Sequence, residues 1–307
     1  MNQADLTKPS LMTGSMRRGN RWRDAVGAYA FILPSFILIT VFYLIPILMT
    51  GFYSVTKFNL IQKPTFVGLD NYTRMFSDPF VTASIRNTFV FTLVTVPIQT
   101  FLALLLAAVF ASRKDGFWKN FTKSSTFIPV ISSMIIVGVL WRMMFNTDIG
   151  VINSLLSVFG VEPVNWLGDK NTALLAVCIV SIWKNVGYFL VIYYVAIMEI
   201  PRSLYEAAEM DGANRRQQFW MITIPSLRNI TYLVVTLGTI WSFQVFDLVY
   251  IMTGGGPGTS TITLVMTIYD TAFKVYDMGY ASAISFLLFT IVILVSVIQK
   301  RFLGERG

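Results

Sequence analysis

The sequence predicts an all-α integral membrane protein with six transmembrane helices and a short cytoplasmic helix between the fourth and fifth. Three observations predict it. Of 307 residues, 55% are hydrophobic and 13% charged, and the mean hydropathy is +0.63, whereas soluble domains carry about a quarter charged residues. Six stretches reach the roughly 20 apolar residues that a helix needs to cross the hydrocarbon core. Lys and Arg are abundant in alternate connecting segments and sparse in the others. So few charges would not cover the core that a chain of this length buries. An ordinary soluble globule, a disordered chain and a secreted disulfide scaffold are therefore excluded, and lipid is the solvent that fits.

The first stretch, 27–50, follows Arg17, Arg18, Arg21 and Arg23, the charge pattern of a signal peptide. Its apolar run outlasts the ~7–15 residues of a signal core and no small-residue cleavage site closes it, so it is expected to remain as an anchor. The others lie at 87–111, 125–146, 172–198, 229–253 and 279–299. Pro34, Pro46, Pro97 and Pro129 fall inside spans, where neighbouring helices can satisfy the freed carbonyls. They read either as fixed kinks or as hinges. The halves 27–146 and 172–299 share no motif, so an inverted-repeat carrier gains no support.

Sixteen of the 24 basic residues lie in the two tails and in the loops after the second span (Arg113, Lys114, Lys119, Lys123) and the fourth (Arg202, Arg215, Arg216, Arg228). Positive-inside bias places these segments, including the loop 199–228, in the cytoplasm. The expected organisation is a cytoplasmic tail 1–26, a transmembrane domain 27–300 and a cytoplasmic tail 301–307. The net charge of +8 is then a topology signal and calls for no nucleic acid.

Chemistry within the chain is sparse. There is no histidine, and Cys178 is the single cysteine, which removes Ser-His-Asp catalysis, histidine zinc sites and intrachain disulfides. No G-x-x-x-x-G-K-[ST] phosphate cradle occurs. The chain is expected to be no enzyme, with no metal and no cofactor of its own.

The loop after the fourth span reads MEIPRSLYEAAEMDGANRRQQFWMITIPSL. Pro201 suits a helix start, the run Leu204 to Met210 favours helix, and Asp211-Gly212 stops it. Leu204, Ala207, Ala208 and Asp211 recur at spacings of three and four, so small alanines would let another surface approach the backbone. Glu206 and Glu209 supply polar contacts beside them. A membrane-surface helix is the plainer alternative.

In the fourth span Lys184, Asn185 and Tyr188 share a face, and in the fifth Gly238, Trp241, Ser242 and Val245 recur at i, i+3, i+4 and i+7. An aromatic face stacks on a sugar ring while amides and hydroxyls bond its hydroxyl groups. Small and polar residues also gather where membrane helices pack. Lys184 is costly at mid-membrane unless it faces water or a partner. It reads either as a contact for an anionic substrate or as a structural charge, with Asp247 the most obvious acid to pair with it.

Glu206-Ala207-Ala208, Gly212, Ile222 and Ile224-Pro225 are spaced as in the EAA signature, and the chain is identified by them as resembling the permeases of ABC importers; Ile224 stands where leucine is usual. Phe66-Val67-Gly68-Leu69-Asp70-Asn71-Tyr72, Asp78-Pro79, Asn87-Thr88 and Thr253-Gly254-Gly255-Gly256-Pro257 are similar to segments of the carbohydrate-type members. Maltose and oligosaccharide permeases, and the related glycerol-3-phosphate permease, are the likeness. The resemblance implies a coupling helix at 199–228, with Glu206, Ala207, Ala208, Asp211 and Gly212 at the ATPase contact. It implies a substrate path at the fourth and fifth spans, where Tyr188 falls on a matching tyrosine. It also implies a second homologous permease, two cytoplasmic ATPase subunits that bind ATP and magnesium, an extracellular solute-binding protein and a sugar substrate. The setting is a bacterial or archaeal cytoplasmic membrane. An anionic derivative such as glycerol-3-phosphate or a uronate oligosaccharide is the alternative substrate. An ion-coupled carrier is more remote, because it needs buried carboxylates and only Asp247 lies inside a span.

Overall fold

The computed structural model describes residues 21–112 and 128–304. The first 20 residues of the predicted tail, the start of the third span at 125–127, the basic residues Arg113, Lys114, Lys119 and Lys123, and the last three residues lie outside them. The chain forms two units, 1–49 and 50–307.

In the first unit α1 (Arg21–Ile39) carries Pro34 and runs into a π turn at Thr40–Leu44, which α2 (Ile45–Ser54) follows. The Ile45 N–H donates to Thr40 O, five residues back. Pro46 explains the widened turn: it lacks an N–H and its ring crowds the carbonyl four residues behind, so one extra residue just before it relieves the clash. The same device recurs at Phe219–Thr223, before Ile224-Pro225.

The second unit begins with a hairpin of β1 (Thr56–Lys57) and β2 (Thr65–Phe66), Thr56 opposite Phe66, followed by α3 (Asp70–Ser77). Then come α4 (Pro79–Ser112), α5 (Met134–Met144), α6 (Val151–Val158) and α7 (Ala173–Glu199). Three short helices follow: α8 (Arg202–Met210), α9 (Arg215–Gln218) and α10 (Ile224–Ser226). The chain returns through α11 (Arg228–Phe243), α12 (Asp247–Met252), α13 (Leu264–Tyr269) with a π turn at Asp270–Lys274, and α14 (Met278–Leu303).

α4 and α7 pack lengthwise. Ala103, Ala107 and Phe110 meet Phe189, Leu190, Tyr193 and Ala196 in one buried cluster, the small alanines admitting close backbone approach. A second cluster joins Phe91, Val137, Val177, Val180, Leu248 and Val249, and a third joins Met75, Val81, Phe243, Leu264, Tyr280 and Ile284.

Among the described residues, four helices are long and apolar enough to cross a membrane: Tyr29–Ser54, Pro79–Ala111, Ala173–Glu199 and Met278–Phe302. They correspond to the first, second, fourth and sixth predicted spans. The third and fifth are not continuous helices, which corrects the sequence reading. The described part of 125–146 has a helical turn at 128–131, then Ser132 and Ser133, then the 11-residue α5. Both the N–H and Oγ of Ser132 turn onto Ile128 O, at 3.3 and 2.9 Å, and Ser133 is extended. The fifth breaks at residues 244–246 into 16-residue α11 and six-residue α12. There the Thr263 hydroxyl donates to Val245 O at 3.0 Å, meeting one of the carbonyls the broken ladder leaves free. A hydropathy window cannot register either event, because the break depends on a hydroxyl and not on loss of apolar character.

The start of α14 rests on the hairpin. The Gly279 N–H donates to Phe58 O at 3.0 Å, and a Cβ there would lie 2.1 Å from Thr56 O. Gly279→Ala is expected to lower the thermal midpoint of the purified protein in detergent by about 4 °C or more, because backbone on both sides must move. Gly51→Ala, where the added carbon meets only the Phe286 ring at 3.6 Å, is the control expected to leave the midpoint nearly unchanged.

Candidate functional site

The loop 199–228 folds from local rules. Pro201 precedes α8, its carbonyl accepting from the Leu204 N–H at 3.2 Å, and Gly212 stops the helix at φ +77°. The Ala213 N–H donates to Ala208 O at 2.8 Å and the Gly212 N–H to Glu209 O at 3.0 Å, the paired bonds of a Schellman ending, which requires a left-handed residue where Gly212 sits. Asn214 then opens α9 in a reciprocal capping box with Gln217, two turns of chain fixed back to back.

The two faces of α8 differ. Arg202, Tyr205, Glu206 and Glu209 line a cavity of 440 Å³ with Ala108 and Ala111 from α4 and Ile197 and Met198 from α7. The hydroxyls of Tyr205 and Thr223 share a hydrogen bond of 2.9 Å, tying α8 to the π turn before α10. Leu204, Ala207 and Asp211 face away and are exposed; Ala208 is half-buried. Glu206 therefore belongs to the cavity-lining face, about 100° round the helix from Ala207.

Halfway along the bundle, Tyr188 of α7 and Trp241 of α11 approach with ring centroids 5.0 Å apart, and Phe189 lies 5.5 Å from the same indole. Both Tyr188 and Trp241 are 39% exposed. Half-buried Asn185 lies within a turn, its amide 3.4 Å from the Ser181 hydroxyl. The other predicted residues turn elsewhere. Ser242 is buried and shares a 3.1 Å hydrogen bond with Thr95 of α4. Gly238 is buried, and a Cβ on it would lie 2.7 Å from Gln99 Nε2. Val245 contributes its carbonyl to Thr263 at the helix break. Lys184 donates to Val130 O at 3.0 Å. Of the two readings of Lys184, the structure does not form the ion pair with Asp247, which is exposed on α12; a backbone carbonyl freed near Pro129 and Ser132 lies within reach of the ammonium.

Sequence reasoning missed the contribution of α4. Thr88, Thr92, Thr95 and Gln99 are buried at spacings of four, three and four, a polar stripe that periodicity within an apolar helix would have revealed. Gln99 Oε1 has no protein partner.

At the opposite end from α8, the glycine-rich turn docks on α4. Asn87 Nδ2 donates to Thr259 O and Ile262 O at 2.7 and 3.0 Å, and the Leu264 N–H donates to Thr88 Oγ1 at 3.0 Å. Nearby, Arg74 pairs with Asp277 at 2.7 Å and lies 3.9 Å over the Tyr280 ring, whose hydroxyl donates to Asp78 Oδ2 at 2.9 Å. Buried Asn87-Thr88 thus anchors the segment after the glycine run to α4, and Asp78 is tied to α14 through Tyr280. Among the described residues, no group of three or more His, Cys, Asp or Glu is placed to hold a metal ion.

This arrangement is that of a membrane permease: long apolar helices, polar contacts between them, and a capped surface helix at one end. Residues 79–303 match the family described as binding-protein-dependent transport system inner membrane component. The chain is 36% identical over 277 residues to the probable ABC transporter permease protein YurN of Bacillus subtilis, covering 89% of this chain and 94% of that one. It is 33% identical over 282 residues to the trehalose/maltose transport system permease protein MalF of Thermococcus litoralis, covering 92% and 95%. Its fold is similar to a chain in the crystal structure of a bacterial alginate ABC transporter in complex with an alginate pentasaccharide-bound periplasmic protein. There the TM-score is 0.83 at 21% identity, covering 94% of this chain and 99% of that one. The protein belongs to the family of binding-protein-dependent transport system inner membrane components. It is a multi-pass membrane permease subunit and not itself an enzyme.

The Gly238–Gln99 approach is testable by a double-mutant cycle. Gly238→Ala is expected to cost about 1–2 kcal/mol of stability in detergent by crowding the amide. In a Gln99→Ala background the same change is expected to cost measurably less, since the atom it meets is gone.

Proposed function

We propose that the chain is one transmembrane permease subunit of an ATP-driven, binding-protein-dependent importer of a sugar or oligosaccharide. The observation that carries the coupling part is α8: a short helix closed by a Schellman ending, with Leu204, Ala207 and Asp211 exposed together on the side away from the bundle. A face with small side chains at its centre accepts a close-fitting protein surface, and a helix held by a Schellman ending and the Tyr205–Thr223 bond transmits displacement as a rigid body. The partner is the ATPase, present in two copies that bind ATP and magnesium. A second, similar permease supplies the other half of the path. Two broken helices, α5 with the turn before it and α11–α12, complete six membrane crossings. The positive-inside bias puts both termini and α8 in the cytoplasm, so the end of the bundle that carries the glycine turn faces the solute-binding protein.

The sugar assignment rests on the named substrates of similar permeases, trehalose and maltose among them, and on the half-exposed Tyr188–Trp241 pair with Asn185 beside it. Rings at this angle offer a stacking face, and the amide offers both donor and acceptor.

Ala207 is exposed, so Ala207→Arg is expected to leave the amount of protein in the membrane unchanged. Co-purification of the ATPase should be lost, and sugar uptake by cells carrying the whole transporter should fall at least about tenfold. Normal uptake with the ATPase still attached would refute the coupling assignment. Trp241→Ala is expected to abolish uptake while sparing ATPase attachment.

A further inference from the structure

The 440 Å³ cavity beside α8 has two unlike walls. One is apolar, from Ala108 and Ala111 at the end of α4 and Ile197 and Met198 at the end of α7. The other carries Arg202, Glu206 and Glu209 of α8 and Arg215 of α9. All four charged residues are exposed. The ion pairs among the described residues, Arg74–Asp277 and Lys274–Asp270, lie elsewhere. Two guanidinium groups and two carboxylates therefore line one cavity without pairing with each other, although Arg202 and Glu206 stand at the i, i+4 spacing that favours a pair.

The apolar wall belongs to the ends of Pro79–Ala111 and Ala173–Glu199, two of the helices long enough to cross a membrane. The cavity thus lies at the level where hydrocarbon gives way to headgroups. Met198 is 55% exposed there. A wholly polar ligand would leave that wall uncovered, and an acyl chain alone would leave the charges unanswered. An amphiphile meets both walls. The charges of the polar wall sum to zero, so a purely anionic headgroup would meet the arginines but also face two carboxylates. A zwitterion matches each sign. Arg202 and Glu206 are one helical turn apart, about 6 Å along the axis, close to the reach from phosphate to ammonium in an ethanolamine phosphate. Arginine binds phosphate oxygens, and a primary ammonium donates hydrogen bonds to carboxylates. Choline has no N–H to donate. The volume falls within the roughly 300–1,000 Å³ of small-ligand sites.

We infer that this cavity binds the headgroup of a phosphatidylethanolamine, its phosphate at Arg202 and Arg215, its ammonium at Glu206 and Glu209, and its chains along the ends of α4 and α7. The lipid fills the space between α8 and the two spans beside it. The inference rests on the cavity's place at the membrane boundary and not on the sugar or ATPase assignments.

The test is native mass spectrometry of the purified full-length chain with the subunits that accompany it, delipidated and then given phosphatidylethanolamine, phosphatidylcholine or phosphatidylglycerol of matched chains. The wild type is expected to hold phosphatidylethanolamine at least about fivefold better than phosphatidylcholine. Arg202→Gln with Glu209→Gln is expected to lower phosphatidylethanolamine binding about fivefold and leave phosphatidylcholine unchanged, and Arg202→Lys to keep at least half. Ala108→Phe, which fills the apolar wall and leaves every charge in place, is expected to lower it as well. Equal phosphatidylethanolamine binding by wild type and the double variant would overturn the site. A double variant that loses phosphatidylglycerol as strongly would make it a plain anion site and overturn the zwitterion. Displacement of the lipid by soluble phosphoethanolamine at about millimolar concentration would overturn the lipid in favour of a soluble phosphate ester. Failure of the double variant to fold or assemble would overturn the inference too, because the charges would then be structural. No sugar or ATP enters the measurement, so each of these results leaves the importer reading standing.

Discussion

A polar group that enters an apolar bundle must find its partner inside that bundle, and the second unit is organised around this constraint on α4. Asn87 and Thr88 hold the glycine-rich turn and the start of α13, Thr95 meets Ser242 of α11, and Gln99 fills the space that Gly238 leaves. One stripe on one helix therefore sets the height of the turn, the register of α11 and the depth at which Trp241 meets Tyr188. α14 is tied in separately, by Gln299 donating to Thr239 at 2.8 Å and by Arg228 donating to Gly304 O at 3.3 Å. Hydrocarbon packing between α4 and α7 supplies contact area, but area alone is tolerant of sliding. Directional bonds remove that freedom.

The same constraint explains where helices are interrupted. Widened turns appear immediately before Ile45-Pro46 and Ile224-Pro225, where proline removes a donor. Full breaks appear at Ser132–Ser133 and at 244–246, where hydroxyls or a lysine take up freed carbonyls. Lys184 reaches the first break, and Phe246, packed with Tyr250 and Tyr269, sits at the second. Irregular backbone at membrane depth is tolerated only where the protein satisfies it, so interruptions concentrate around the interior and its proposed path.

Much of the site is legible along the chain where the governing rule is local. Pro201, Gly212 and Asn214 set the limits of α8 and α9 by cap geometry that depends on a few neighbouring residues, and the predicted loop helix follows it closely. Tyr188 and Trp241 carry their own chemistry, and their meeting agrees with helical spacing on each span. Ser242, Gly238 and Lys184 show where such reasoning ends. Small, polar and charged residues in a membrane helix serve packing and ligand equally well, and only the identity of the facing helix separates the two. Thr95, Gln99 and Val130 decided those cases, and they lie 147, 139 and 54 positions away in the chain.

By itself the sequence determined the solvent, the long apolar helices, the capped surface helix and the family to which the chain belongs, because each depends on composition or on short spacings. Only the tertiary structure decided that two spans are broken, that Lys184 answers a carbonyl and not Asp247, and that the rings of Phe246, Tyr250, Tyr269 and Phe273 cluster. Those outcomes turn on which distant backbone group lacks a partner and which side chain lies within hydrogen-bond reach of it, a matter of three-dimensional proximity that no local pattern encodes.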